Sequence, residues 1–462
     1  MAGSFDALGV ALSGLYAQRR GLDVTGQNVA NANTDGYSRQ RVVLEAVGAP
    51  ATPAMHAVWD GAGGGVRTGE LQRLRDTFLE ARAQTEHGRA AQLETRQGVL
   101  AQVEQLLGEP GGTGLASTLS DFWSGWSDVA NRPGDLAARS QLLQRGGTLA
   151  AGLRQAYQGL AAQWTAQREQ LGAVVAEVNT AATNIAELNQ AILRARQAGL
   201  PAGELQDRRD LLVMGLADKV GAAARPGADG VVDVYLGGSA LVRGATAEQL
   251  SLTGAADLSA AGTDPVTIRW ARDATPALVA AGTAGGALDA LNGTLPAYAG
   301  RLDAVAADLA AKVNAQHAAG YDLSGVPGGA FFTGSTAATL AVALTDPGRV
   351  AAAATAGGTL DGGNAAKLAA LATDPASPDR GYRQLVVDLG VDAQTTNRRV
   401  DIQRGVAAQV DAAREAQSGV SLDEEMTRML AYQRAYEGAS RVLTSVDQTL
   451  DTLINRTGLV GR

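Results

Sequence analysis

The chain has 462 residues, of which 45% are hydrophobic and 19% charged, with a net charge of -8 and no cysteine. That length suits two to four domains around a sizeable core. The missing basic surplus argues against nucleic acid as a partner, and the missing thiols remove disulfides, thiolate nucleophiles and thiolate metal sites.

Three histidines, His56, His87 and His317, stand far apart without HExxH-type spacing. No stretch reaches the roughly 20 apolar residues of a membrane span. Neither a metal, a cofactor nor membrane insertion is therefore expected. The first residues carry Asp6 early and place their arginines after the apolar part, unlike a cleaved secretory leader.

From Phe5 onward, Leu8, Leu12, Leu15, Leu22 and Val29 recur at alternating steps that fit a heptad seam, which predicts an amphipathic helix seeking a partner. The run "QNVANANTDGYSRQ" ends it. Asn28, Asn31, Asn33, Asp35 and Gly36 are expected to form the turn after that helix, since Asn, Asp and Gly tolerate positive φ. In "SRQRVVLEA", Val42 and Leu44 then alternate like a short strand.

Residues 70 to 108 and 140 to 199 read as long helices, with spacing such as Val174, Val178, Ile185, Leu188 and Ile192. Between them, Trp123 and Trp126 are expected core anchors. From Gly221 to Ala284 the texture changes to alternation broken by Gly and Asp, which predicts a small β-rich insertion. Helical character returns from Gly286 to Ala318. A Gly-rich stretch carrying Phe331 and Phe332 follows, both expected to be buried, and a last long helix from Asp379 to Ala416.

Near the C-terminus, Met429, Tyr436, Leu443 and Leu450 repeat at seven-residue steps behind a Ser421/Glu424 capping box. A helix at a chain end that buries only one such stripe is marginal without a partner surface. Both ends are therefore expected to be disordered in the free monomer and to fold on assembly. The fold class expected is mainly α with a β-rich insertion. Residues 1–45 and 415–462 would form a terminal coiled-coil domain, 46–220 and 285–414 a discontinuous long-helix domain, and 221–284 a small outer β domain.

No P-loop, nucleophile elbow, paired-carboxylate signature or EF-hand loop occurs, so no catalytic residue is nominated. Asp207, Asp210 and Asp322 have no spaced partner and are expected at surface or turn positions.

The two ends resemble a known family. "SGLYAQRRGLDVTGQNVANANTDGYSRQRV" is similar to the N-terminal signature of bacterial flagellar rod, hook and hook-associated proteins, and "LDEEMTRMLAYQRAYEGASRVLTSVDQTLDTLIN" to their C-terminal signature. The middle, in "LSDFWSGWSDVANRPGDLAARSQLL", "LQDRRDLLVMGLADKVGA" and "VNAQHAAGYDLSGVPGGAFF", resembles the hook-associated protein 1 branch.

The resemblance implies a structural, non-catalytic role at the distal end of the hook, where the hook–filament junction forms. The partners it implies are further copies of the chain in a ring or helix, hook protein, the second junction protein, an export chaperone and the type III export apparatus. It implies a location in the flagellum, outside the cell after export. It also makes Leu8, Leu12, Leu15, Leu22, Val29, Met429, Tyr436, Leu443 and Leu450 the expected assembly surface. A hook or distal rod protein would lack the long helices, and a secreted wall hydrolase with axial-type ends would need a carboxylate or His constellation that the sequence does not offer.

Overall fold

The computed structural model describes residues 2–48, 63–109, 111–112, 114–358 and 360–456. His56 lies outside them. Helix α1 (Ala2–Ala30) leads through the asparagine turn to an antiparallel hairpin of β1 (Gln40–Ala46) and β2 (Val66–Arg73), with Gln40 opposite Arg73 and a register shift between Val42 and Leu44.

The expected helix over 70–108 begins later than its apolar spacing suggests. Residues 66–73 pair with β1, and the side chain of Asp76 caps the next helix by accepting from the Phe78 and Leu79 amides. That helix, α2 (Thr77–Leu107), stops at Gly108, whose φ of 60° is a left-handed C-cap.

Helix α3 (Leu115–Asn131) carries Trp123 and Trp126. After it comes α4 (Leu136–Gln197), 62 residues long, begun by an Asp135 cap and spanning about 90 Å at the helical rise. Leu142, Leu149, Leu153, Ala156, Leu160, Trp164 and then Leu171, Val175, Val178, Ala182 and Ile185 are buried along it, so one stripe in steps of three and four faces the core for most of its length. Helix α5 (Gly203–Val220) runs beside α4 and ends at Gly221, again left-handed with φ 66°.

The β-rich stretch follows: a sheet ordered β3 (Ala223–Pro226), β4 (Val232–Leu236), β5 (Ser239–Arg243), β6 (Thr246–Ala247), then the pair β7 (Leu250–Thr253) and β8 (Thr267–Trp270). Two asparagines of α4 dock these units. Asn179 exchanges bonds with the Leu250 amide and carbonyl, and Asn189 holds Val232 in the same way while donating to the Gly244 carbonyl. Each amide side chain thereby satisfies backbone groups that a helix face alone would leave unpaired.

Helix α6 (Gly282–Asp289) passes through a π turn at 290–294 into α7 (Leu295–Ala318), after which come β9 (Phe332–Thr333), β10 (Ala341–Val342), α8 (Gly363–Ala370), α9 (Pro378–Ser418) and α10 (Leu422–Asp451). Helix α9 packs back on α2 and α7. The buried apolar residues of α2 to α9 and of the β units form one contiguous cluster, with Trp270 and Leu241 in the same core as Trp126 and Leu309.

His317 sits inside that core at 0% exposure. It donates from Nδ1 to the Gly329 carbonyl at 2.7 Å and accepts at Nε2 from the Ala351 amide at 2.9 Å, an arrangement only the neutral ring can make. Burial lowers its pKa accordingly.

His87 is the opposite case. It stands on α2 between Asp218 of α5, 3.3 Å away, and Asp411 of α9, 2.8 Å away, and the bonds to these two carboxylates push its pKa up to about 9 against the opposing effect of burial. The folded value lies above the ordinary 6.5, so the stabilisation is complete below pH 6.5 and fades as pH rises toward about 9. The melting temperature is expected to fall over that window in the native chain and to stay level in His87→Ala. Parallel pH profiles for the two proteins would show that the contacts contribute nothing.

Candidate assembly site

The chain ends meet. Helices α1 and α10 run antiparallel and touch along their lengths. A Cβ at Gly14 would lie 4.0 Å from that of Ala439, a Cβ at Gly21 would lie 2.5 Å from the Tyr432 ring, and the Asn28 side chain bonds Glu425. Each step of seven residues along α1 is thus matched by a step of seven back along α10, a heptad register.

Small residues line the inner face of α1: Ala11, Ala17 and Gly21 are buried, as are Val24, Thr25 and Asn28. They let the two backbones approach closely. The Gly21 notch in particular receives the flat face of Tyr432, which any Cβ would displace.

The stripe predicted from sequence lies one residue further round the helix, by about 100°. Leu8, Leu15, Leu22 and Val29 flank the seam and are half-buried, and Leu12 is 39% exposed. On α10, Met429, Tyr436, Leu443 and Leu450 are half-buried and share a face with Glu425, Tyr432 and Ala439. The outward faces keep large apolar residues in solvent: Val10, Tyr16, Leu422, Met426, Leu430 and Val442.

A polar knot closes the end of the pair nearest the helical body. Asn28 belongs to α1 and not to the turn after it, which corrects the expectation for that residue. Its Nδ2 donates to the Gln40 carbonyl and to Glu425 Oε2, both at 2.9 Å, and its Oδ1 accepts from the Tyr37 hydroxyl at 2.8 Å and the Gln40 amide at 3.0 Å.

Arg39 completes the knot. Its Nε donates to Glu425 Oε1 at 2.8 Å and its Nη2 to Glu424 Oε2 at 2.6 Å, and its own backbone amide bonds the Ser418 carbonyl at the end of α9. Glu425 is only 1% exposed, so it depends on these partners. Losing one side of such a buried pair costs on the order of 3–5 kcal/mol. Burial, with Asp207 and Glu425 nearby, pushes the Tyr37 hydroxyl up to about 12, so it stays a donor to Asn28 at any physiological pH.

Of the remaining turn residues only Gly36 takes up a positive φ; Asn31, Asn33 and Asp35 do not use the tolerance their type offers. Asn31 donates back to the Gln27 carbonyl and accepts from Thr34, Asn33 and Asp35 are exposed, and Gly36 takes a φ of 76° that a side chain would strain.

A second ionic cluster fastens the hairpin to α5. Arg73 donates to Ser38, to Asp207 at 2.5 Å and to Asp210 at 2.8 Å, while Arg75 and Arg209 also hold Asp210. Burial alone would raise the Asp210 pKa, but Arg209, Arg75 and Arg73 outweigh it and hold the carboxylate below its usual range. Asp207 and Asp210 are therefore neither surface nor turn residues. Sequence spacing could not reveal this, because their partner lies more than a hundred residues away. Asp322 does make a turn, accepting from the Ser324 and Val326 amides, though it is itself buried.

Among the described residues no group of three or more His, Asp or Glu side chains could hold a metal, and no helix is long and apolar enough to cross a membrane.

Comparison with known proteins gives this architecture a family. The family model for the flagellar hook-associated protein FlgK helical domain matches residues 100–332. Flagellar hook-associated protein 1 of Bacillus subtilis is 30% identical over an alignment of 512 residues covering 100% of both chains. The chain belongs to the flagellar hook-associated protein 1 family.

The ends agree. A basal body rod family model matches residues 8–37, and the model for the C-terminal part of basal body rod FlgEFG proteins matches 414–456. These two matches contain Asn28, Tyr37, Glu424 and Glu425, four of the five side chains of the knot. The Salmonella typhimurium member is 30% identical over 336 residues, which span 70% of this chain and 58% of that protein. The solved structure of the flagellar hook junction protein FlgK from Burkholderia pseudomallei shares the fold with a TM-score of 0.64 at 19% identity, covering 75% of this chain and all of that one. As a member of this hook-associated protein family, the chain is a structural component of the bacterial flagellum.

Proposed function

We propose that this hook-associated protein forms the first layer of the hook–filament junction, adding copies of itself to the distal end of the hook through the paired terminal helices. The observation that carries this is the division of labour in the pair. Small residues fill the seam inside, and the large apolar side chains that would ordinarily be buried stand half-covered or exposed on the outside. Exposed apolar stripes of this kind mark contact surfaces.

Leu8, Leu12, Leu15, Leu22 and Val29 would meet neighbouring copies, with Met429, Tyr436, Leu443 and Leu450 supporting the pair from α10. Neighbouring copies would also consolidate helices that are marginal alone, residues 2–45 and 415–456 ordering fully only on assembly, the remaining residues of the two end segments lying outside the described ones. Hook protein below, the second junction protein above, and a chaperone with the type III apparatus during export complete the proposed partners. The role is non-catalytic.

In cells lacking the protein, the native chain is expected to restore filament attachment, and Leu15→Asp with Leu22→Asp is expected to leave filament subunits shed into the medium. Circular dichroism of the purified variant should show the α2 to α9 body still folded. Attached filaments in the variant, or in cells lacking the protein, would refute the reading.

A further inference from the structure

We propose that Asn28 is the positioning residue that sets the register of α1 on α10. The seam between the two helices is poor in register information. Gly14 and Gly21 are seven residues apart, so the notch that receives Tyr432 occurs twice, and the intervening seam residues are small. Sliding α10 by one heptad to seat Tyr432 over Gly14 would exchange one glycine notch for another. Packing alone therefore selects weakly between the two arrangements.

The polar groups select strongly. The same slide carries Glu425 from Asn28 to the level of Gly21, which has no side chain to donate. Asn28 is 1% exposed with all four of its hydrogen-bonding positions used, on the Gln40 backbone, Tyr37 and Glu425. Its ring of partners includes the strand that follows the turn, so it is held from outside the seam as well as within it. A buried polar side chain in a helix pair is a known way to specify register.

The proposal deepens the junction reading, because the register decides which outward side chains stand together. In the observed one, Leu12 and Val442 lie at nearly the same level along the pair, as do Leu22 and Leu430.

The chain has no cysteine, so disulfide trapping can read the register in the full-length protein. Gly14→Cys with Ala439→Cys reports the observed register, since the two Cβ positions are 4.0 Å apart, within disulfide reach. Ala7→Cys with Ala439→Cys reports the slipped one. A heptad is about 10 Å of helix, so the first pair is expected to close at least about tenfold faster than the second under mild oxidation.

With Arg39→Ala in place to release the ionic hold on Glu425, adding Asn28→Ala is expected to bring the two rates within about twofold of each other while the fluorescence of the buried tryptophans is unchanged, whereas Arg39→Ala alone should keep the preference. Val24→Ala, which removes volume from the same face without touching the amide, should keep the preference. A preference that survives Asn28→Ala in the Arg39→Ala background, or one that Arg39→Ala or Val24→Ala alone abolishes, overturns the assignment to Asn28. Equal rates in the chain with no other substitution overturn it too. None of these outcomes bears on the junction reading, which stands or falls on filament attachment.

Discussion

Phe331→Ala is expected to destabilise the folded body by about 3–5 kcal/mol, the range for deleting a fully buried aromatic ring. Phe331 is 0% exposed, and its ring centroid lies 4.9 Å from that of Phe332, 5.2 Å from Trp126, 5.7 Å from His317 and 5.8 Å from Phe122. The site has little freedom to collapse into the cavity. The amides of Phe331 and Phe332 both donate to Asn314 Oδ1 on α7, and the Nδ2 of the same side chain donates to the Phe332 carbonyl, so the backbone is pinned where it is.

On the other side α4 presents Gly146, where a Cβ would sit 3.1 Å from the Phe331 ring. Three elements thus converge on one side chain. Denaturant unfolding followed by tryptophan fluorescence should show the midpoint falling with little change in slope. Phe331→Leu should lose less, because it retains part of the volume. A loss under about 1 kcal/mol for the alanine variant would mean that the ring is not part of a rigid core.

Arg73→Ala should have the second large effect, about 3 kcal/mol, at the lower end of the range for breaking a buried ion pair because Arg75 and Arg209 still hold Asp210. Among the described residues Asp207 has no such reserve. Its side chain is 10% exposed and Arg73 is its ion-pair partner at 2.5 Å. Adding Asp207→Asn to Arg73→Ala is expected to recover part of the loss, since the stranded charge is removed with its partner. Strict additivity in that double-mutant cycle would refute the coupling.

The same cluster predicts the acid behaviour. The folded Asp210 value is depressed below the ordinary 3.8, so its contribution is present above that pH and is lost as pH falls below it. Arg73→Ala should therefore lessen the acid sensitivity of the native chain as well as its stability at neutral pH. The hairpin attached through Arg73 carries the terminal pair, so amide exchange should quicken first in β1 and β2.

Much of this organisation is legible in the residues. The Ser421 cap, the long helices on either side of Trp123 and Trp126, the alternating stretch after Gly221 and the burial of Phe331 and Phe332 follow from local pattern and appear in the structure. Local interactions within a few residues decide where a helix starts, what period it has and where it stops, and these are written in consecutive residues. The family signatures at the two ends are legible for the same reason, being continuous stretches.

The structure alone decides which face of a periodic helix meets its partner. Two stripes one residue apart on α1 both keep heptad spacing, one of leucines and one of glycines and alanines. Leucine size favours the first on burial grounds, and close backbone approach selects the second. Residues whose partners are distant in sequence were likewise invisible. Asn28 reads as a turn residue because its bond to Glu425 spans nearly 400 positions, and Asp207 and Asp210 read as solvated because Arg73 lies on a strand that local spacing assigns to a helix. The sequence by itself determined the elements, their ends and the family. Tertiary contact determined the seam, the knot and the ionic fastening, because each depends on groups that only folding brings within hydrogen-bonding distance.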